Sequence, residues 1–301
     1  VSAGPATELE IKSQVRQFYD SVGWRQIGAG LYQNARYEDL RPVSRDYLHR
    51  CHLRVARFLP PKGYCLLDAG SGPIQYPEYL EYSRGYRYRV CLDLSRQALT
   101  EARQRLGGHG LYVLGDVASL PFRGDAFEGV VSLHTIHHLP LAGQEGAFRG
   151  LQRVLRPGGS AAVVYSWGRA SPLMRLSAPA IGLAHGLFRL RRRLQARRSE
   201  DPTGTRAGSA PDDLLARRGT YTFQHDYAWV RTRLADLPRL QVRVWRTVST
   251  RFLRALIHRP LLGRFWLRLL YAAEEAAPRL LGRWGQYPLI VFEKPGAERL
   301  G

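Results

Sequence analysis

Residues 64–72, Tyr-Cys-Leu-Leu-Asp-Ala-Gly-Ser-Gly, decide the fold. The short apolar run closes on the carboxylate of Asp68, and Gly70 and Gly72 follow with one residue between them. Such a run suits a strand buried in a parallel sheet, and glycines at its end let the backbone turn sharply beneath a ligand. A second acidic strand end, Asp93, follows Gly72 by 21 residues, close to the roughly 20 expected of a ribose-binding carboxylate in a βαβ nucleotide site. Asp116 ends the next apolar run. The spacing points to a site for a nucleoside-containing cofactor.

Working outward, apolar runs predict strands at 64–68, 88–92, 111–114, 127–133 and 160–166, with helices at 75–83, 95–106 and 143–155 between them. Ser95 is placed to cap the second of these helices, and Arg156-Pro157-Gly158-Gly159 to turn the chain into the fifth strand. Strand-helix alternation of this kind means a mostly parallel sheet with helices on both faces. Before it, residues 8–22 carry helical spacing, and Ser44 is placed to cap a helix running to Leu59. After Trp167 the pattern changes. An apolar stretch at 172–190, where Pro172, Pro179, Gly182 and Gly186 are expected to spoil a regular helix, runs into Arg191, Arg192, Arg193, Arg197 and Arg198, and 199–213 has the composition of a mobile loop. A helix at 226–236, a strand at 240–248, helices over 251–283 broken at Pro260, Gly263 and Pro278, and a strand at 287–293 complete the expectation. Four regions follow: a helical cap (1–59), the nucleotide-binding core (60–166), a basic insertion or lid (167–225), and the final strands with a helical substrate-side insertion (226–295).

Composition narrows the function classes. At 301 residues the chain can bury a sizeable core. No apolar stretch reaches the ~20 residues that span a bilayer, and no signal peptide is visible, so a cytoplasmic protein is expected. Cys51, Cys65 and Cys91 lack metal-ligand spacing and read as core thiols. The net charge of +20 invites a nucleic-acid reading, yet only Lys12, Lys62 and Lys294 are lysines, an arginine bias that fits a GC-rich genome. The charge is also uneven. Residues 175–259 hold 18 Arg against 6 acids, whereas 1–174 hold 21 basic against 15 acidic residues.

With these residues in place, the chain resembles class I S-adenosylmethionine-dependent methyltransferases, in particular the ubiquinone/menaquinone-type and natural-product small-molecule enzymes. Four segments carry the resemblance in order: Leu67-Asp68-Ala69-Gly70-Ser71-Gly72, Val90-Cys91-Leu92-Asp93-Leu94-Ser95, Gly115-Asp116-Val117-Ala118-Ser119-Leu120-Pro121-Phe122 with the strand after it, and Leu151 to Gly159. The resemblance implies a Rossmann-like seven-stranded α/β fold and S-adenosylmethionine as cofactor, with S-adenosylhomocysteine as product. It implies that Gly70, Ser71 and Gly72 approach the methionine part and that Asp68 meets its ammonium group. Asp93 would accept the ribose hydroxyls and Asp116 the adenine amino group, with Leu94 and Val117 against the ring. Tyr19 or Tyr37 of the cap would reach the methionine carboxylate. Many relatives carry a third glycine two places after Gly72, where this chain has Pro73-Ile74.

Methyl transfer is an in-line displacement that needs alignment and sometimes removal of a proton. Leu133-His134-Thr135-Ile136-His137-His138 leaves the fourth strand where the substrate of such a sheet is expected. His134, His137 and His138 are therefore candidate bases or substrate-positioning groups, with His134 also a candidate for lining the cofactor pocket. Adjacent His137 and His138 do not suit one metal ion, and no metal is expected. The Asn/Asp-Pro-Pro-Tyr/Phe motif of amino-methylating enzymes and the acidic cluster of catechol-type enzymes are absent. The expectation is metal-independent O-, C- or N-methylation of a small hydrophobic or anionic acceptor. Three alternatives stay open: RNA as substrate, a membrane-associated lipid or quinone reached through apolar 172–190 and its arginines, and a cofactor-binding protein that does not methylate.

Overall fold

The computed structural model describes residues 7–28, 31–196 and 219–296. Nine strands are described: β1 (Gln26–Gly28), β2 (Leu31–Tyr32), β3 (Gly63–Ala69), β4 (Tyr86–Asp93), β5 (Gly110–Leu114), β6 (Phe127–Leu133), β7 (Leu155–Val164), β8 (Gln241–Arg246) and β9 (Tyr287–Glu293). The first two pair as a small hairpin, and the other seven form one sheet in the order β5-β4-β3-β6-β7-β9-β8. Only β9 runs against its neighbours. The order in which strands are added reverses between the parallel β3 and β6, and crevices for ligands open at such a point beyond the carboxyl ends of the strands.

Alternation along the strands splits the core in two. Leu67, Val90, Leu92, Val130 and Val163 face one layer of helices, and Leu66, Cys91, Val131, Ala162 and Val164 face the other. Each such aliphatic side chain, taken fully out of water, contributes roughly 1.5–3 kcal/mol. The layers are built from α1 (Glu8–Phe18), α2 (Arg45–Arg54), α3 (Arg96–Leu106), α4 (Leu141–Val154), α5 (Pro172–Ala196), α6 (Tyr227–Arg233), α7 (Thr250–Leu256), α8 (Gly263–Ala276) and α9 (Pro278–Trp284). Ser95 caps α3 as expected, its hydroxyl accepting from Ala98 N. The interruptions at Pro260, Gly263 and Pro278 also stand where the sequence placed them.

Four local expectations need correction. Ser44 does not cap α2 through its side chain; its hydroxyl instead donates to Asp39 Oδ2 at 2.6 Å, and α2 gives way to a 3-10 turn at Val55–Phe58. Residues 77–83 form a 3-10 rather than an α-helix, opened by Pro77. The strand expected from 160 begins at Leu155, and Gly158, at φ 82°, absorbs the irregularity inside it. The prolines and glycines of 172–190 do not break the helix. Pro172 occupies its start, where a missing N–H matters little, and Pro179 sits on an exposed face of the continuous α5. The loop expected at 199–213 lies outside the described residues.

The N-terminal segment is positioned by its own signals. Thr7 and Glu10 form a reciprocal cap, and Ile11, Val15 and Phe18 bury one face of α1. A π-turn at Tyr19–Gly23 then brings Tyr19 back over the sheet, stacked on Trp24 with ring centroids 4.9 Å apart. Among the described residues no helix is long and apolar enough to cross a membrane.

Candidate functional site

Beyond the carboxyl ends of β3, β4 and β6 the chain leaves a cleft. Pairing of β3 with β4 continues past the strand, as Gly70 N and Ser71 N both donate to Leu92 O. This pulls the turn against Asp93, whose Oδ2 accepts from Gly72 N and whose Oδ1 accepts from Ser95 N, each at 2.9 Å. Burial pushes the Asp93 carboxyl up to about 6, against the pull of those two amides. Gly70 and Gly72 both have positive φ, and a Cβ on Gly70 would meet the Thr135 side chain at 2.3 Å. The turn therefore needs glycine there for conformation and for space. Where the resemblance leads one to look for a third glycine, Ile74 holds φ at 54° while fully buried. A β-branched residue in that region is strained, so the backbone demand survives the change of residue.

The cleft gathers Asp68, Gly70, Ser71, Gly72, Asp93, Leu94, Asp116, Val117, Tyr19 and His134, ten of the residues singled out in the sequence. Tyr37 is not among its walls and lies in a neighbouring cavity. Two acids are already engaged. Asp68 Oδ2 accepts from Arg89 Nε at 3.1 Å and also from Nη2, with both side chains buried. Burial pushes the Asp68 carboxyl up while Arg89 pulls it down. Asp116 Oδ1 accepts from Ala118 N at 2.8 Å, and its Oδ2 lies 2.6 Å from Lys12 Nζ on α1.

The neighbouring cavity shares Tyr19, Asn34, Gln75, Tyr79, His134 and His138 with the cleft. Phe18, Tyr37, Tyr76, Tyr79 and Tyr287 give its walls aromatic surface, Glu38, Gln75, Thr222, Gln224 and Arg246 give polar surface, and all three candidate histidines reach it. His134 takes φ 55° at the end of β6 and packs edge-on against Trp245 and Tyr287. Burial pushes its imidazole down to about 3. His138 Nδ1 lies 2.8 Å from Tyr221 O, a contact that requires the proton on Nδ1 and leaves Nε2 to accept from Tyr19 Oη at 3.0 Å. Burial pushes His138 down to about 4 and His137 well below its ordinary value.

Sequence reasoning missed the cavity's charged pair, Glu38 and Arg246, and the partners Lys12 and Arg89. One signal was legible: Arg89 and Arg246 are arginines set in runs of strand-forming residues, where a charge needs a buried partner or a ligand.

Residues 67–163 match the sequence profile of a methyltransferase domain. An Encephalitozoon cuniculi protein named as a methyltransferase is 38% identical over 94 residues, 31% of this chain and 43% of that protein. A Mycobacterium ulcerans protein named as a phthiotriol/phenolphthiotriol dimycocerosates methyltransferase is 28% identical over 174 residues, 53% of this chain and 65% of that one. The chain thus spans less than two thirds of either relative. The solved phosphoethanolamine N-methyltransferase 1 of Haemonchus contortus matches with a TM-score of 0.53 at 11% identity, covering 97% of this chain and 51% of that one. At that identity the likeness is one of fold.

Proposed function

We propose that this chain, a class I S-adenosylmethionine-dependent methyltransferase by its residues 67–163, transfers a methyl group to a small acceptor seated in the aromatic cavity. One observation carries the reading: the cleft and the cavity meet at a wall made by Tyr19, Asn34, Gln75, Tyr79, His134 and His138. Two bound molecules would face each other there. That is the arrangement an in-line displacement needs.

The cleft suits the cofactor. A glycine turn without Cβ atoms lets the ligand approach the backbone. Asp93 is held by two amides with lone pairs left for the ribose hydroxyls. Leu94 and Val117 offer apolar surface for the ring, beside Asp116. Ser71 lies in the turn, and Asp68, paired with Arg89, contributes a polar wall rather than a free charge. Bound S-adenosylmethionine supplies an electrophilic methyl group. The chain's own residues orient the acceptor and exclude water.

Depressed imidazoles are weak bases at neutral pH. His138 fixes the Tyr19 hydroxyl, and His134 holds the shared wall. Both thus act as neutral positioning groups. The acceptor then arrives ionised, or loses its proton to solvent after transfer.

The test is calorimetric titration of the cofactor-stripped protein with S-adenosylmethionine and S-adenosylhomocysteine, for wild type and Asp93→Ala. Binding that collapses in the variant, followed by transfer of labelled methyl to a screened acceptor, supports the reading. A folded wild type that binds neither overturns it.

A second reading is favoured by α5. Leu176, Leu183, Leu187, Leu190 and Leu194 recur at helical spacing and all are exposed, with exposed Arg175, Arg189 and Arg191 on the same helix. This pattern suits contact with an anionic lipid surface, from which a lipophilic acceptor would be drawn. Flotation with phosphatidylserine vesicles at low salt tests it, and protein left in the bottom fraction rules it out.

A further inference from the structure

We infer that Arg246 anchors a carboxylate carried by the acceptor, so that the substrate class is a planar, preferably aromatic, carboxylate; the inference rests on the methyl-transfer reading of the same cavity. Arg246 ends β8 and is only 2% exposed, yet it lines the cavity. Its Nε and Nη1 have no hydrogen-bond partner, and Nη2 makes only a 3.5 Å contact with Thr250 Oγ1. Nε is thus open and Nη1 meets only the Glu38 carboxylate at 3.5 Å, in a place where unmade hydrogen bonds to a charged group are costly.

Glu38, which lines the same cavity, divides its charge between Arg246 and His52. Its Oε1 stands 3.5 Å from Arg246 Nη1, and the same carboxylate lies 3.3 Å from His52 Nε2. His52 Nδ1 in turn faces Glu78 Oε2 at 3.7 Å. Glu38 and Glu78 hold the buried His52 imidazole above its ordinary value, although burial itself pulls it down. A file of alternating charge, Glu78, His52, Glu38, Arg246, therefore ends at the cavity on a cation. A ligand anion there would extend the alternation.

The guanidinium is also fixed in orientation. It lies over Tyr287 at 4.6 Å and over Trp245 at 5.0 Å, the two rings that pack against His134 on the shared wall. Thr220 Oγ1 lines the same cavity, buried and without a hydrogen-bond partner, and the Tyr76 hydroxyl lies there beside Glu38. Convergent donors, a rigid cation and aromatic walls match a flat ring bearing a carboxylate better than a neutral or cationic acceptor.

Benzoate and its uncharged counterpart benzamide are the probes, titrated calorimetrically with and without saturating S-adenosylhomocysteine. The expected result for wild type is benzoate at least tenfold tighter than benzamide. Arg246→Gln erases the difference, Arg246→Lys keeps part of it, and Tyr76→Phe weakens benzoate about threefold. Unchanged S-adenosylhomocysteine affinity and circular dichroism show that the variants fold. Wild type that binds S-adenosylhomocysteine but does not favour benzoate overturns the inference. So does tighter binding of phenyl phosphate than of benzoate, which assigns the anchor to a phosphate. Benzoate binding that depends on Arg246, in a protein that ignores S-adenosylhomocysteine, supports the anchor and overturns only the methyl-transfer reading.

Discussion

Lys12 Nζ lies 2.6 Å from Asp116 Oδ2, so α1 is tied to the far end of the cleft by the same carboxylate whose other oxygen accepts from Ala118 N. Both side chains line the cleft and are mostly buried. The pair ties the N-terminal segment across the cleft, so its opening is expected to accompany ligand release. A partly exposed ion pair of this kind is worth about 0.5–1 kcal/mol.

Lys12→Met is accordingly expected to speed S-adenosylhomocysteine dissociation about two- to fivefold, converting that energy directly. Stopped-flow displacement measures it. Added salt narrows the gap between wild type and variant by screening the pair in the wild type. An unchanged dissociation rate shows that Lys12 does not gate release.

Asp93 is expected to set the pH dependence of cofactor binding. Burial raises its carboxyl to about 6, and the ionised form accepts from Gly72 N and Ser95 N while keeping a free lone pair on each oxygen for the ribose hydroxyls. Affinity for S-adenosylhomocysteine is therefore full above pH 7 and falls as pH drops through 6, by roughly tenfold at pH 5. The sign for folding is opposite. An acid whose pKa is raised by folding binds its proton more tightly in the native state, so the cofactor-free protein gains stability from this group as pH falls from 7 toward 4. Calorimetry from pH 5 to 8 reads the first effect and thermal unfolding the second. Asp93→Asn is expected to bind weakly at every pH, and an affinity in wild type that ignores pH refutes the assignment.

The sheet was legible because its strands are short apolar runs closed by Asp68, Asp93 and Asp116, and burial on both faces leaves that signature in any sequence. The cleft was legible for the same reason, since its residues are the ends of those strands. The cavity was not. Glu38, Tyr76, Arg246 and Tyr287 come from four separate segments, and no local pattern joins a residue of the N-terminal loop to the end of β8. The histidines show the limit from the other side. Their sequence order advertises a base, while their protonation depends on burial that only the tertiary structure supplies. Length and periodicity likewise did not foretell that α5 runs unbroken through Pro179, because exposure of that turn lets water take the carbonyl the proline leaves unpaired.

Gly70 and Thr135 test the glycine turn. A Cβ at Gly70 would lie 2.3 Å from Thr135 Cγ2 and Oγ1, and φ is 78°. Gly70→Ala is expected to cost about 2–4 kcal/mol, combining overpacking with a left-handed backbone, and to abolish cofactor binding. Adding Thr135→Gly removes the clash and leaves the strain, so the double variant regains part of the stability in urea unfolding. A double variant no more stable than Gly70→Ala alone shows that the clash does not set the penalty.

Arg89 and Asp68 form a pair buried at the root of the cleft, and breaking it by Arg89→Leu leaves a carboxylate with no partner inside the sheet. The expected loss is about 3–5 kcal/mol at pH 8. Without the guanidinium, burial pushes the Asp68 carboxyl higher than it already stands, and a raised acid destabilises the fold most where it is ionised. The loss should therefore shrink on acidification to pH 5, where Asp68 takes up a proton and the buried charge disappears. Asp68→Leu with Arg89→Leu removes both charges and is expected to recover most of the stability at pH 8, because two apolar side chains suit the interior between β3 and β4. Urea unfolding of the three proteins at pH 5 and 8 measures these differences. A loss in Arg89→Leu that is equal at both pH values shows that the destabilisation comes from lost packing around Tyr79 and Tyr82, not from the stranded carboxylate.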